Sequence, residues 1–281
     1  MTELQILYET EDFMFVYKPP YTVLRSDINL NKYLTEPLPD DMKCYGFMVS
    51  IIKHIKDSGE DVDETISNGL CQRYDFQTSG IMMVTKKKSF FNSCREIINN
   101  KDKTIKIYCC LVNGIIEQKS GFIKTRIHKP DKTKFTYDYI ADINDRRGFI
   151  SASYYQVIKE YEYNGNNYSY VFVRIFTGRP HQIRLHMKYL GTPIVSDRCY
   201  NDPENYKQNL QVSSRMFLHN FKLCVVVNDE QICLTAKLSE ELKETLDKMN
   251  KTNSYEIQEL DKISSPLTLK DMKRRNNEYM P

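Results

Sequence analysis

Two segments concentrate residues able to do chemistry. The first is Arg73-Tyr74-Asp75-Phe76-Gln77-Thr78-Ser79-Gly80, which sets a carboxylate in a run of hydrogen-bonding side chains just before the apolar stretch Ile81-Met82-Met83-Val84. A loop at a strand edge can present one side chain to a ligand while the sheet holds it still. A carboxylate there can serve as nucleophile, base or metal ligand. It can equally be a plain turn residue, because Asp bonds its own backbone. The second is Thr177-Gly178-Arg179-Pro180-His181-Gln182-Ile183-Arg184-Leu185-His186, which crowds basic side chains at a strand-to-helix junction. Arg184 falls on the face away from Ile183 and Met187, where a guanidinium can hold a phosphate or a buried carboxylate in forked geometry. His181 and His186 stand five apart and face different sides of either a helix or a strand, so they make a poor metal pair. Each reads as a structural histidine.

The elements that position these segments follow from periodicity. Residues 5–17 read as short strands around an acidic turn, stopped by Lys18-Pro19-Pro20. Residues 26–45 read as a polar excursion, 47–54 as a short helix and 81–85 as an apolar strand. Phe90, Cys94, Ile97 and Ile98 recur at helical spacing, which predicts a helix over 89–99. Residues 104–112 alternate, so Lys106 and Tyr108 share one face of a strand that ends at Asn113-Gly114. Asn164-Gly165 lies between two aromatic and β-branched runs and predicts a hairpin. A helix is expected after Pro180, stopped by Gly191, with Ile183, Met187 and Leu190 inward and His181, Arg184 and Lys188 on a polar stripe. A last helix is expected near Ser239, and beyond about residue 251 a mobile or loosely docked tail. Hairpins dominate, which points to an α+β fold with a mixed, largely antiparallel sheet and flanking helices.

The chain has 281 residues with 41% hydrophobic and 27% charged, ordinary values for a globular protein. No apolar run reaches the ~18 residues of a membrane span, and the acidic start resembles neither a secretory signal nor a basic transit peptide. The cytosol is therefore the expected compartment, with an organelle left open. The net charge of +3 hides an asymmetry: residues 1–70 carry 6 Lys/Arg against 13 Asp/Glu, and residues 73–135 carry 14 against 5. A basic block beside an acidic one favours a polyanionic partner, or else is a solvated lysine-rich surface. The eight cysteines show no CxxC spacing and read as reduced, mostly buried thiols rather than a zinc site or a disulfide framework.

Taken together, the segments resemble the RluA family of RNA pseudouridine synthases. The signatures stand as Gln72-Arg73-Tyr74-Asp75-Phe76-Gln77-Thr78-Ser79-Gly80, Lys106-Ile107-Tyr108 running to Gly114, and Thr177 to His186 followed by Gly191-Thr192-Pro193-Ile194-Val195-Ser196-Asp197. Lys18-Pro19 and Leu218-His219 also fit. The resemblance covers roughly residues 5–250, with no separate RNA-binding domain in front, and leaves 251–281 as a polar C-terminal tail. It implies a sheet with a central RNA-binding cleft and a cofactor-free, metal-free isomerase that turns uridine in rRNA or tRNA into pseudouridine. It implies Asp75 as the essential carboxylate, Arg184 as its ion-pair partner and Tyr108 as the ring stacked on the uracil. Arg73 would help fill the space left by a flipped-out uridine, and Arg73, Lys86, Lys87, Lys106 and Arg179 are the cations expected to hold RNA. A monomer is expected.

The chain departs from the family pattern at five places: Gln72 for His, Tyr74 for Leu, Tyr21 and Ser196 for Gly, and Asn220 for Ala. These departures motivate an alternative, a catalytically weak or inactive RNA-binding or chaperone-like protein on the same fold. A hydrolase or nuclease is poorer, since no carboxylate cluster and no Ser/His/Asp arrangement stands out.

Overall fold

A computed structural model describes residues 3–25, 28–129, 139–142 and 148–266. In chain order the strands and helices are β1 (Ile6–Glu9), β2 (Phe13–Lys18), α1 (Gly46–Asp57), β3 (Ser79–Thr85), α2 (Phe91–Asn99), β4 (Thr104–Asn113), β5 (Ser120–His128), β6 (Ile140–Asp142), β7 (Phe149–Tyr163), β8 (Asn166–Ile175), α3 (Gln182–Tyr189), α4 (Pro203–Val212), β9 (Leu218–Val227), β10 (Glu230–Thr235), α5 (Glu240–Asp247) and β11 (Asn250–Ser254). The fold is α+β, and its strand pairs are mostly antiparallel. Among the described residues no helix is long and apolar enough to cross a membrane. The chain divides into two compact units, residues 1–106 with 218–240, and residues 107–217 with 241–281.

In the first unit the strand order is β1-β2-β3-β9, with β10 on β9. Every residue of β3 is buried, as expected of a strand covered on both faces. Phe13 to Val16, Ile81 to Val84 and the α1 residues Phe47, Ile51, Ile52 and Ile55 build one apolar cluster. β3 meets β9 in parallel only at Ser79↔His219 and Gly80↔Asn220. That pairing needs glycine: φ at Gly80 is +120°, and an added Cβ would sit 2.6 Å from the Asn220 amide nitrogen.

In the second unit the order is β4-β8-β7-β5-β6. The Asn164-Gly165 turn closes the β7–β8 hairpin with φ of +51° and +76°, the positive pair that an Asn-Gly hairpin turn takes. β11 pairs with β7 from Asn250↔Glu162 to Ser254↔Lys159. Beyond it, Tyr154 donates to Gln258 and Arg174 reaches the carbonyls of Leu260 and Asp261, both at 2.6 Å. The expectation of a loose tail from residue 251 is thus corrected for 251–261, which is docked by backbone and side-chain bonds that hydropathy does not register. Residues 267–281 lie outside the described residues.

One further expectation, that the cysteines are all reduced, is corrected. Cys71–Cys94 and Cys224–Cys233 are disulfide-bonded. Cys224 and Cys233 are direct cross-strand partners on β9 and β10, an adjacency that sequence spacing does not display. Burial pushes the Cys109 thiol up to about 12. On α3 the polar residues Gln182, Arg184 and His186 are buried, while Lys188 is exposed.

His186 shows why. It is fully buried, its Nε2 lies 2.9 Å from Ser151 Oγ and 3.1 Å from Thr125 Oγ1, and its Nδ1 lies 3.0 Å from Ser153 Oγ. The ring therefore ties α3 to β5 and β7 through hydroxyls. Burial holds its pKa down at about 3, so it stays neutral when folded. An unfolded chain takes up that proton below the ordinary histidine value near 6.5, so the folded state loses stability as pH falls from about 6.5 toward 3. Urea unfolding of the wild type should show this decline, and His186→Gln should flatten it.

Candidate active site

Asp75 sits on a β-turn immediately before β3. The turn is closed by the Thr78 amide donating to the Asp75 carbonyl at 3.0 Å. The carboxylate-bearing residue is half-buried, with exposed Arg73 two residues before it and exposed Phe76 after it. Beneath the turn lies Lys18, wholly buried at the end of β2. Its ammonium donates to the carbonyls of Thr78 at 2.6 Å and Pro19 at 3.0 Å, and sits 3.5 Å from that of Phe76. A buried ammonium left without acceptors would cost several kcal/mol. It therefore fixes the turn's carbonyls around itself. His219 adds a second anchor, with Nδ1 2.9 Å from Ser79 Oγ and Nε2 3.2 Å from the Ala236 carbonyl.

Two of the departures from the family pattern meet here. The Tyr74 hydroxyl donates to the Ile81 carbonyl at 2.6 Å, and Asn220 Nδ2 donates to that hydroxyl at 2.6 Å and to the same carbonyl at 2.8 Å. A phenol and an amide thus replace a purely apolar pair as one hydrogen-bonded unit. A third departure is accommodated in the second unit: Ser196 holds φ of +59°, with its hydroxyl 2.9 Å from the Asn209 carbonyl and 2.6 Å from that of Ser213. Gln72 differs, since both of its amide atoms are buried without a hydrogen-bond partner. Nothing in the structure explains that choice of residue.

The second unit carries Tyr108, Arg179 and Arg184. Tyr108 is buried on β4, at 6% exposure. Arg184, buried on α3, forks onto Asp197, Nε to Oδ2 at 2.7 Å and Nη2 to Oδ1 at 2.8 Å. Tyr200 lies under both Arg184 and Lys188, at 5.0 and 5.5 Å from its ring centre. The junction before α3 is pinned by Gln182, whose Nε2 donates to the Ala152 carbonyl at 3.0 Å and whose Oε1 accepts from the Arg179 amide at 3.1 Å. The Arg179 guanidinium donates through Nε to the Ile150 carbonyl at 3.0 Å and lies over Phe149.

The lysines have local partners. Lys86 pairs with Glu9 at 2.7 Å, and Lys87 with Asp12 at 3.0 Å and Glu11 at 3.4 Å. Burial pulls the Glu9 carboxyl upward, but hydrogen bonds from Lys86 and His54 outweigh it and hold it below its ordinary value. Lys106 donates to the Ile98 carbonyl at the end of α2, 2.7 Å away. Part of the basic block is therefore neutralised by the acidic one. The first unit carries Arg73, Asp75, Lys86, Lys87 and Lys106; of these the structure brings only Arg73 and Asp75 onto one loop. The roles of Lys18 and Asp197 were not read from sequence, although each is part of a motif singled out there. A buried arginine needs a carboxylate, and Asp197 closes the third motif.

Among the described residues no group of three or more His, Cys, Asp or Glu is placed to hold a metal ion.

Comparison with known proteins bears on this arrangement. The model of the RNA pseudouridylate synthase family matches residues 54–189, a range that includes Asp75, Tyr108 and Arg184. The chain is 28% identical over 241 residues to a ribosomal large subunit pseudouridine synthase C of Rickettsia bellii, covering 85% of this chain and 69% of that protein. It is 29% identical over 200 residues to an uncharacterized RNA pseudouridine synthase, YlyB, of Bacillus subtilis, covering 70% of this chain and 58% of that one. The solved structure of human RNA pseudouridylate synthase domain containing 1 superposes with a TM-score of 0.67 at 20% identity, over 99% of this chain and 96% of that one, and is a likeness of fold.

The Tyr74–Asn220 unit makes a stability prediction. Tyr74→Phe and Asn220→Ala should each destabilise the protein, and the double variant should lose less than their sum. A coupling of about 1 kcal/mol is expected, measured by urea unfolding of the four proteins.

Proposed function

This chain belongs to the RluA-type RNA pseudouridylate synthase family, and on that premise we propose that it converts uridine to pseudouridine at specific sites in ribosomal RNA. The observation that carries the reading is the family match over one continuous range holding Asp75, Tyr108 and Arg184 together. The ribosomal target rests on the printed names of the Rickettsia relatives.

The reaction is an isomerisation. The bond from ribose C1′ to base N1 breaks, the uracil turns over, and C1′ joins C5. C5 loses its proton and N1 gains one, so atoms and electrons balance within one nucleotide. A uridine in a stem is unreachable, so it is flipped out of the stack. Asp75 supplies the essential carboxylate, and the Lys18-held turn keeps it from retreating into solvent. In the second unit Asp197 orients the Arg184 guanidinium in a two-pronged fork, and by the family resemblance Tyr108 is the ring that stacks on the base. Rigid placement of this kind is what converts a bound nucleotide into a reacting one. Arg73 and Arg179 lead the contacts to phosphate, and Lys86, Lys87 and Lys106 contribute chiefly through the field they raise.

The test is conversion of ribosomal RNA from a host lacking this gene, mapped by a chemistry that marks pseudouridine. Wild-type protein should modify one or a few positions, and Asp75→Asn should modify none while binding the same RNA with nearly unchanged affinity. An active Asp75→Asn protein would overturn the role given to Asp75.

A further inference from the structure

The turn that presents Asp75 and the segment that follows β2 each present an aromatic ring to solvent. Phe76 follows Asp75 directly and is 46% exposed; Tyr21 is 43% exposed. Their rings meet edge to face, with centroids 5.7 Å apart and planes at 72°. Two half-exposed rings in mutual contact are an unusual use of surface, and neither belongs to the apolar cluster of this unit.

Tyr21 holds this position against backbone strain. Its φ is +59°, the left-handed region where a bulky side chain is disfavoured. Glycine would sit there without cost, and the family pattern has glycine at this place. Tyr21 packs into no core, so the strain is not offset by burial of the ring. A strained residue beside a candidate active site points to use of its side chain.

The two segments that carry the rings are tied to one another through the backbone. Lys18 bonds the Pro19 carbonyl on one side and the Thr78 carbonyl on the other. Thr22 Oγ1 donates to the same Pro19 carbonyl at 2.9 Å. The segment carrying Tyr21 and the turn carrying Asp75 and Phe76 therefore share one anchor.

We propose that Tyr21 and Phe76 form a stacking platform for an unpaired RNA base adjacent to the target uridine. Flipping a uridine out of a strand removes the stacking partner of its neighbours. Aromatic side chains supply a replacement face to any base, and unstacked RNA bases are recognised in this way. Exposed Arg73, on the loop leading into the turn, favours a polyanion here over an apolar protein segment. The proposal rests on the RNA-modifying function above and adds a nucleotide subsite to it.

The experiment measures kcat and KM on an RNA that the wild type converts, for Tyr21→Gly, Phe76→Leu and Phe76→Trp. Tyr21→Gly relieves the strain, so its Tm should equal or exceed that of the wild type. Its KM should nonetheless rise about tenfold, with the effect on KM rather than kcat. Phe76→Leu keeps apolar bulk without a π face and should behave likewise, while Phe76→Trp should restore wild-type KM. Replacing the flanking nucleotide by an abasic one should raise the wild-type KM similarly and leave that of Tyr21→Gly unchanged. KM within twofold of wild type for both Tyr21→Gly and Phe76→Leu would overturn the platform, and would leave a protein partner as the reason for the exposed rings. If the wild type converts no RNA, the activity reading fails separately. Photocrosslinking to 5-iodouridine-substituted total RNA then decides the platform, supported by crosslinks at Tyr21 or Phe76 and overturned by their absence.

Discussion

A wholly buried lysine ammonium sets the terms for the first unit. Lys18 ends β2 with no exposure to water, and its charge is answered by the carbonyls of Pro19 and Thr78. Both carbonyls lie where the chain leaves a strand or enters one, after β2 and before β3, so the ammonium ties the two connections together. One connection is the turn that carries Asp75, and the other leads through Tyr21. Gly80 then allows β3 to approach Asn220 closely, and the register of β3 on β9 follows. Charge burial and glycine geometry together fix where the carboxylate stands.

The second unit applies the same rule to a guanidinium. Arg184 is buried with Asp197 meeting it in a two-pronged fork, and breaking a buried pair of this kind costs about 3–5 kcal/mol. Gln182 and His186 satisfy the neighbouring carbonyl and hydroxyl groups of β5 and β7. A helix whose polar side chains point inward is stable only when each finds its partner. The short helix after Pro180 is therefore a fixed mount for Arg184.

Much of this was legible from residue types and spacing. The Asp75 turn ahead of an apolar strand, the alternation through Lys106 and Tyr108, the Asn164-Gly165 hairpin and the helix stopped by Gly191 all stand as read. What escaped depends on partners distant in sequence. Cys224 and Cys233 are neighbours only because β9 and β10 pair, and Asp197 reaches Arg184 only across a loop without periodicity. Lys86 and Lys87 read as open cations until β2 and β3 brought Glu9, Glu11 and Asp12 beside them. The hydroxyl partners of His186 on β5 and β7 also escaped, because hydropathy has no measure of hydrogen-bond satisfaction. The departures at Tyr74 and Asn220 looked like damage when read singly, and only their contact shows them to be one substitution made in two places.

The central claim is that this chain breaks and remakes bonds within uridine rather than merely binding RNA. Joining C1′ to C5 expels the hydrogen that C5 carried. The most direct measurement is therefore release of tritium to water from ribosomal RNA labelled at uridine C5, using purified wild-type protein with no added cofactor. The account predicts release that rises with time to a plateau matching a small whole number of sites per RNA. RNA that is bound at the same protein concentrations yet releases no tritium would contradict it.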